Sequence, residues 1–128
     1  MNIPVLIVAV VTLLAFLAHL FGGTRETAAI APADGEDKLA AHWVQAMCAF
    51  QMLAVDLLVV AVALFAIVFA DLGPHESLII QGFALLFFLW GTVWIIQVVW
   101  LKHEAVGLLR LPHWIVWFVC ALLLLYGS

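Results

Sequence analysis

Charge is what this sequence has least of. Its 128 residues include four lysines and arginines and eight aspartates and glutamates, 9% charged in all, against 69% hydrophobic. A soluble domain carries ~25% charged and ~45–50% apolar residues, so there is too little polar side chain here to cover a water-facing globule, and a lipid bilayer is the expected surrounding. So few cations exclude a nucleic-acid footprint, and they exclude the clusters of ~4–8 Lys and Arg that hold anionic lipid headgroups. Cysteine is also scarce. Cys48 and Cys120 lie in separate apolar segments, with neither a C-x-x-C pair nor zinc-finger spacing, which argues against thiol redox chemistry and leaves both as expected buried small hydrophobes. No cationic stretch precedes the apolar "MNIPVLIVAVVTLLAFLAHLF". That run also exceeds the ~7–15 residues of a signal-peptide core, so a retained span is expected. Long period-two alternation is missing too, which excludes lipid-facing barrel strands.

What is present is a series of long apolar runs. Crossing ~30 Å of hydrocarbon takes ~20 residues of helix, and four segments are candidates: residues 3–21, 39–70, 77–101 and 111–126. The second is longer than a perpendicular crossing needs, so tilt or extra turns outside the hydrocarbon are expected. "DLGPHES" supplies turn residues between the second and third, and Pro112 suits the first turn of the fourth. The expected fold is an all-α, integral membrane four-helix transmembrane bundle, one domain over residues 1–128. Arg25, Lys38, Lys102 and Arg110 all fall in the first and third loops. The positive-inside rule therefore puts those loops in the cytoplasm and both termini in the periplasm of a bacterial inner membrane.

This topology gathers His19, His42, His103 and His113 at the cytoplasmic end, with Glu26 and Glu104 in the same layer. Imidazole and carboxylate together suit zinc, iron, copper or manganese, so His19, His42, His103 and Glu26 form a candidate metal or haem site. Histidine is equally at home at a membrane interface without any ligand, and no H-x-x-x-H or E-x-x-H spacing places two ligands on one helical turn. In the second segment, His42, Gln45 and Asp56 share a stripe with Ala49 and Met52, while Gln51 lies opposite. Asp56 is the one acid in the middle of any span. It is expected to face protein or water, either in a functional role or as a hydrogen-bonded tie between helices, with Thr12, His19, Gln81, Thr92 and Gln97 as the available partners. Trp90 and Trp94 lie deep in the third segment, where their indole donors need acceptors.

The stretch "LAHLFGGTRE" raises a local question. Gly22-Gly23 is expected to end the first helix in a left-handed conformation and to turn Arg25 and Glu26 back toward His42 as a polar latch. "AHLFGGTRE", the "HW" pair at residues 42–43 and "LRLPHWIVWF" before the fourth segment together resemble a family of small, uncharacterised four-span bacterial integral membrane proteins. That family has H-x-x-x-G/G-x-R-E after span 1, W-H in span 2 and L-P-Q-W at the entry to span 4. Here His42-Trp43 stand in reversed order and His113 takes the place of the glutamine. The resemblance implies the fold and a bacterial inner membrane, and no activity. Small multidrug exporters resemble one another in a glutamate midway along span 1, where this chain has Thr12, and a b-type cytochrome would need histidine pairs deep in facing helices.

No catalytic residues are assigned. The expected function is a non-enzymatic accessory or interaction subunit of a larger inner-membrane assembly, partnered by lipid and by other membrane subunits or a second copy. The alternative is a metal-, haem- or quinone-binding protein. The charge distribution makes a direct prediction: a reporter fused at Ser128 gives a periplasmic signal and a cysteine label within residues 27–38 a cytoplasmic one, and reversal of both signals would overturn the charge argument.

Overall fold

In the computed structural model the described residues are 1–33, 35–70, 72–101 and 107–128, and they are helical with no strand. The order is α1 (Ile3–Leu17), a π-helical segment (Ala18–Gly23), α2 (Thr24–Ala29), α3 (Asp37–Phe69), a 3₁₀ turn (Gly73–His75), α4 (Glu76–Leu101) and α5 (His113–Gly127). Three helices are long and apolar enough to cross a membrane: Ile3–Ala29, Asp37–Phe69 and Gly73–Leu101. The fourth apolar helix, α5, has 15 residues, about 22 Å of length.

The first helix does not end where Gly22-Gly23 suggested. Gly23 has φ −62°, an ordinary right-handed value, and the chain continues through it into α2. The glycines with positive φ are Gly35 and Gly73, at 93° and 60°, in the connections before α3 and α4. A diglycine costs a helix interior entropy, but it ends the helix only where the backbone turns left-handed.

The fold divides into two compact units, Met1–Val8 with Ile67–Ser128, and Ala9–Ala66. In the first, α4 and α5 lie against one another. Ile80, Ala84, Phe87, Cys120, Ala121 and Leu124 are buried. Gly91 permits the close approach, because a Cβ there would come within 3.1 Å of the Phe118 ring. Phe87, Trp90 and Trp117 meet edge-on or tilted, with ring centroids 5.2 to 5.9 Å apart, the geometry aromatic quadrupoles prefer. The expected indole acceptors include main-chain carbonyls at the α4–α5 connection: Trp94 Nε1 donates to the Leu111 carbonyl at 3.2 Å and Trp114 Nε1 to that of Leu108 at 3.1 Å.

The same unit holds a tie between the two ends of the chain. Asn2 caps α1, its Oδ1 accepting from the Val5 N–H at 3.3 Å, while its Nδ2 donates to the Gly127 carbonyl at 2.6 Å. One amide thus serves an orphan donor at a helix N-terminus and an orphan acceptor at a helix C-terminus. Gly127 is small of necessity, since a Cβ there would stand 2.8 Å from Asn2 Oδ1 and 3.1 Å from Pro4. Asn2→Ala is expected to lower stability by about 1 kcal/mol, and Gly127→Val by at least as much, read as thermal unfolding in mild detergent against Ser128→Ala as control.

In the second unit, α3 presents one face inward. Trp43, Met47, Phe50 and Gln51 are half-buried, and Ala54, Leu57, Ala61 and Leu64 are buried. Thr12 is fully buried and hydrogen-bonded.

Candidate functional site

The π segment is the structural core of the stretch that the sequence singles out. The Thr24 N–H reaches back five residues to the His19 carbonyl, which makes the wider turn of a π-helix. Such a turn re-aims the side chains around it and recurs at functional positions. Here it sets two residues on α3. The His19 ring stacks on Phe50 with centroids 3.6 Å apart and planes 18° from parallel. Its Nε2–H donates to the Phe50 carbonyl at 2.9 Å, since a carbonyl can only accept. Gly23 lies under the same ring, where a Cβ would come within 2.6 Å of Phe50 Cζ. Gly23 is therefore a point of close approach and not a helix terminator.

Two further bonds extend this contact. Gln51 Nε2 donates to Thr24 Oγ1 at 2.8 Å, and Trp43 Nε1 donates to the Thr27 carbonyl at 3.2 Å. Thr24 Oγ1 in turn donates to the His19 carbonyl at 3.4 Å. Arg25 and Glu26, expected in a latch with His42, lie on the exposed side of α2. Threonine and glutamine make the tie in their place, because after the π turn Thr24 and Thr27 are the α2 residues facing α3.

The other candidates stand apart from this contact. His42 is exposed, and it lies eight residues before Phe50, about 12 Å along α3 from the level of His19. His103 and Glu104 lie outside the described residues. Among the described residues no three of His, Cys, Asp or Glu gather where they could hold a metal ion. Gln97 on α4 is exposed, and so is His113, whose ring lies 4.6 Å from that of Trp94. Between α4 and α5 runs an apolar groove of about 490 Å³, lined by Phe88, Phe118, Leu122 and neighbours. Its one polar lining group, the Gln81 amide, donates to Ser77 Oγ at 3.3 Å, and the other lining residues offer no polar side chain to orient the head of a quinone.

Asp56 has the least expected placement. His42, Gln45, Ala49, Met52 and Asp56, the stripe picked out along the helix, are all exposed, while Gln51 on the opposite side faces inward and is hydrogen-bonded. Thr12, offered as a partner for Asp56, is buried, whereas Asp56 is exposed. Cys48, expected to be buried, is exposed because it flanks the same outward stripe, whereas Cys120 is buried as expected. Among the described residues Asp56 has no intramolecular hydrogen bond or ion pair, and a carboxyl set into hydrocarbon at the centre of a span would cost ~2.5–3.5 kcal/mol. Comparison with known protein families, characterised proteins and solved structures found no match.

The packing at Gly23 has a measurable consequence. Gly23→Val is expected to destabilise by about 1–3 kcal/mol through overpacking against Phe50, and His19→Ala by about 1–2 kcal/mol through loss of a bond and a stacked ring. Arg25→Ala should melt with the parent in detergent. If Arg25→Ala matched His19→Ala in cost, a charged latch would hold this end instead.

Proposed function

We propose that the chain is a non-enzymatic membrane helical bundle that acts by lateral association, as an accessory or interaction subunit of a larger assembly in a bacterial inner membrane. The observation that carries this reading is the outward exposure of Asp56, with Gln45 and His42 on the same stripe of a 33-residue apolar helix. In hydrocarbon a polar side chain is costly unless protein or water meets it. The chain itself leaves that side open, which supports a partner polypeptide there. The described connections between helices are short, too small to hold a soluble catalytic module.

The proposal places four crossings in the bilayer with both termini periplasmic. The Asn2–Gly127 bond supports an even number of crossings by joining the start of α1 to the end of α5. At 15 residues α5 is the shortest crossing, and local bilayer thinning and flanking residues can accommodate a short helix.

Purification from native membranes in mild detergent tests the reading. The expected result is a particle larger than the 14.1 kDa chain with its detergent belt, containing a stoichiometric second polypeptide or further copies. A monodisperse monomer without any partner would sink it.

A further inference from the structure

We infer that Met47, Cys48 and Met52 on α3 form a binding site for a soft monovalent metal ion of the copper(I) class. The inference stands apart from the lateral association proposed above, since it concerns what one chain binds by itself. The first observation is where sulfur falls in the chain. Three methionines and two cysteines are spread over 128 residues. Apart from Met1 and the buried Cys120, all of them stand within the six residues "MCAFQM".

The helix brings these three side chains to one place. Met47, Cys48 and Met52 line a shallow hollow of about 470 Å³ on α3, with Trp43 as a wall. Cys48 and Met52 are one helical turn apart, so their Cβ atoms stand about 5–6 Å from one another. With metal–sulfur bonds of about 2.3 Å, an ion between the two side chains touches both sulfurs. Met47 adjoins Cys48, and the three rotatable bonds of its side chain let its sulfur swing to the same ion. Cys48 and Met52 are exposed while Met47 is half-buried, so the ion has a way in and one ligand on its inner side.

The other lining residues add no imidazole or carboxylate. Val44 and Val55 are apolar. The Trp43 and Gln51 N–H groups are directed to the Thr27 carbonyl and to Thr24 Oγ1, which fixes both side chains against α2. Sulfur is therefore the donor that this hollow offers to a metal.

Donor chemistry selects the ion. Thiolate and thioether sulfur are soft ligands that favour copper(I), whereas imidazole suits zinc and carboxylate suits manganese. Charge makes the same choice. When the ion binds, the Cys48 thiol gives its proton to solvent and the sulfur bonds the metal; the ion is already in its reduced state and no electron moves. One thiolate and one monovalent cation sum to zero and thioethers are neutral, so the filled site carries no net charge. A divalent ion on the same ligands would keep a positive charge, which apolar surroundings penalise.

On the crossing proposed above, the site is within reach of water. The 33 residues of α3 make about 50 Å of helix against ~30 Å of hydrocarbon. Asp37, Lys38, His42 and Gln45 put the excess at its first turns, and Cys48 follows at the boundary of the apolar run.

Copper(I) binding to the purified full chain in mild detergent, without oxygen and against a colorimetric copper(I) chelator, tests this. The expected result is about one equivalent bound, with an ultraviolet sulfur-to-metal charge-transfer band. Cys48→Ser is expected to abolish both and Cys120→Ser to keep both. Met47→Leu and Met52→Leu conserve volume, and each is expected to weaken affinity at least about tenfold. Met52 is 68% exposed, so Met52→Leu reads binding without disturbing packing, and unchanged thermal unfolding of the metal-free variants checks this. Retention of the band in Cys48→Ser would overturn the site. So would unchanged affinity in both methionine variants, which would mark a bare thiol that takes any soft ion. Displacement of copper(I) by an equal concentration of zinc would overturn the choice of ion. A copper-binding monomer without a partner would remove the subunit reading and leave this site standing.

Discussion

In a chain so rich in hydrophobic residues, apolar burial cannot by itself set how one helix registers on the next, because nearly every face of every helix is apolar. Direction comes from the few polar groups. Among the described residues, long-range bonds of these groups end on a main-chain carbonyl or a hydroxyl: Asn2 on Gly127, His19 on Phe50, Trp43 on Thr27, Gln51 on Thr24, and Trp94 on Leu111. A slip of one residue would lose the bond and leave a donor stranded, and in apolar surroundings a stranded donor costs more than a lost packing contact. Glycine reinforces the same choice of register. At Gly23, Gly91 and Gly127 a Cβ would come within 2.6, 3.1 and 2.8 Å of Phe50, Phe118 and Asn2, so each glycine favours the register in which that side chain lies against it.

Much of this architecture was legible in the chain. Helices were visible as long runs without period-two alternation, and the long second span, the break at "DLGPHES" and the start of the last helix near Pro112 lie within a few residues of the observed ends. The stripe of His42, Gln45 and Asp56 was also visible, since angular position on a helix follows from counting residues. Which way it faced was not. Orientation depends on what the other side of the helix meets, and there the decisive partners are Phe50 and Gln51, an ordinary apolar residue and an amide that looked like the exception to the pattern.

The diglycine shows a second limit of local sequence. Glycine serves both left-handed turns and close approaches, and the two uses look alike until the facing residue is known. Gly23 meets Phe50, 27 positions later, and Asn2 meets Gly127 across nearly the whole chain. Neither pairing leaves a trace in composition, periodicity or the neighbouring residues. The latch of Arg25 and Glu26 was expected because charges near a helix end commonly pair, but the wider turn before them moved the threonines onto α3 and left the charges outside.

The π segment also has a consequence for chain length. Its wider turn holds one residue more than an ordinary helical turn, so removing one residue from "AHLFGG" would restore regular hydrogen bonding and leave all that follows in nearly the same rotational phase. Thr24 and Thr27 would go on facing Gln51 and Trp43. The stretch thus has one residue to spare. A second deletion, by contrast, would turn the two halves of the helix out of step by about 100°.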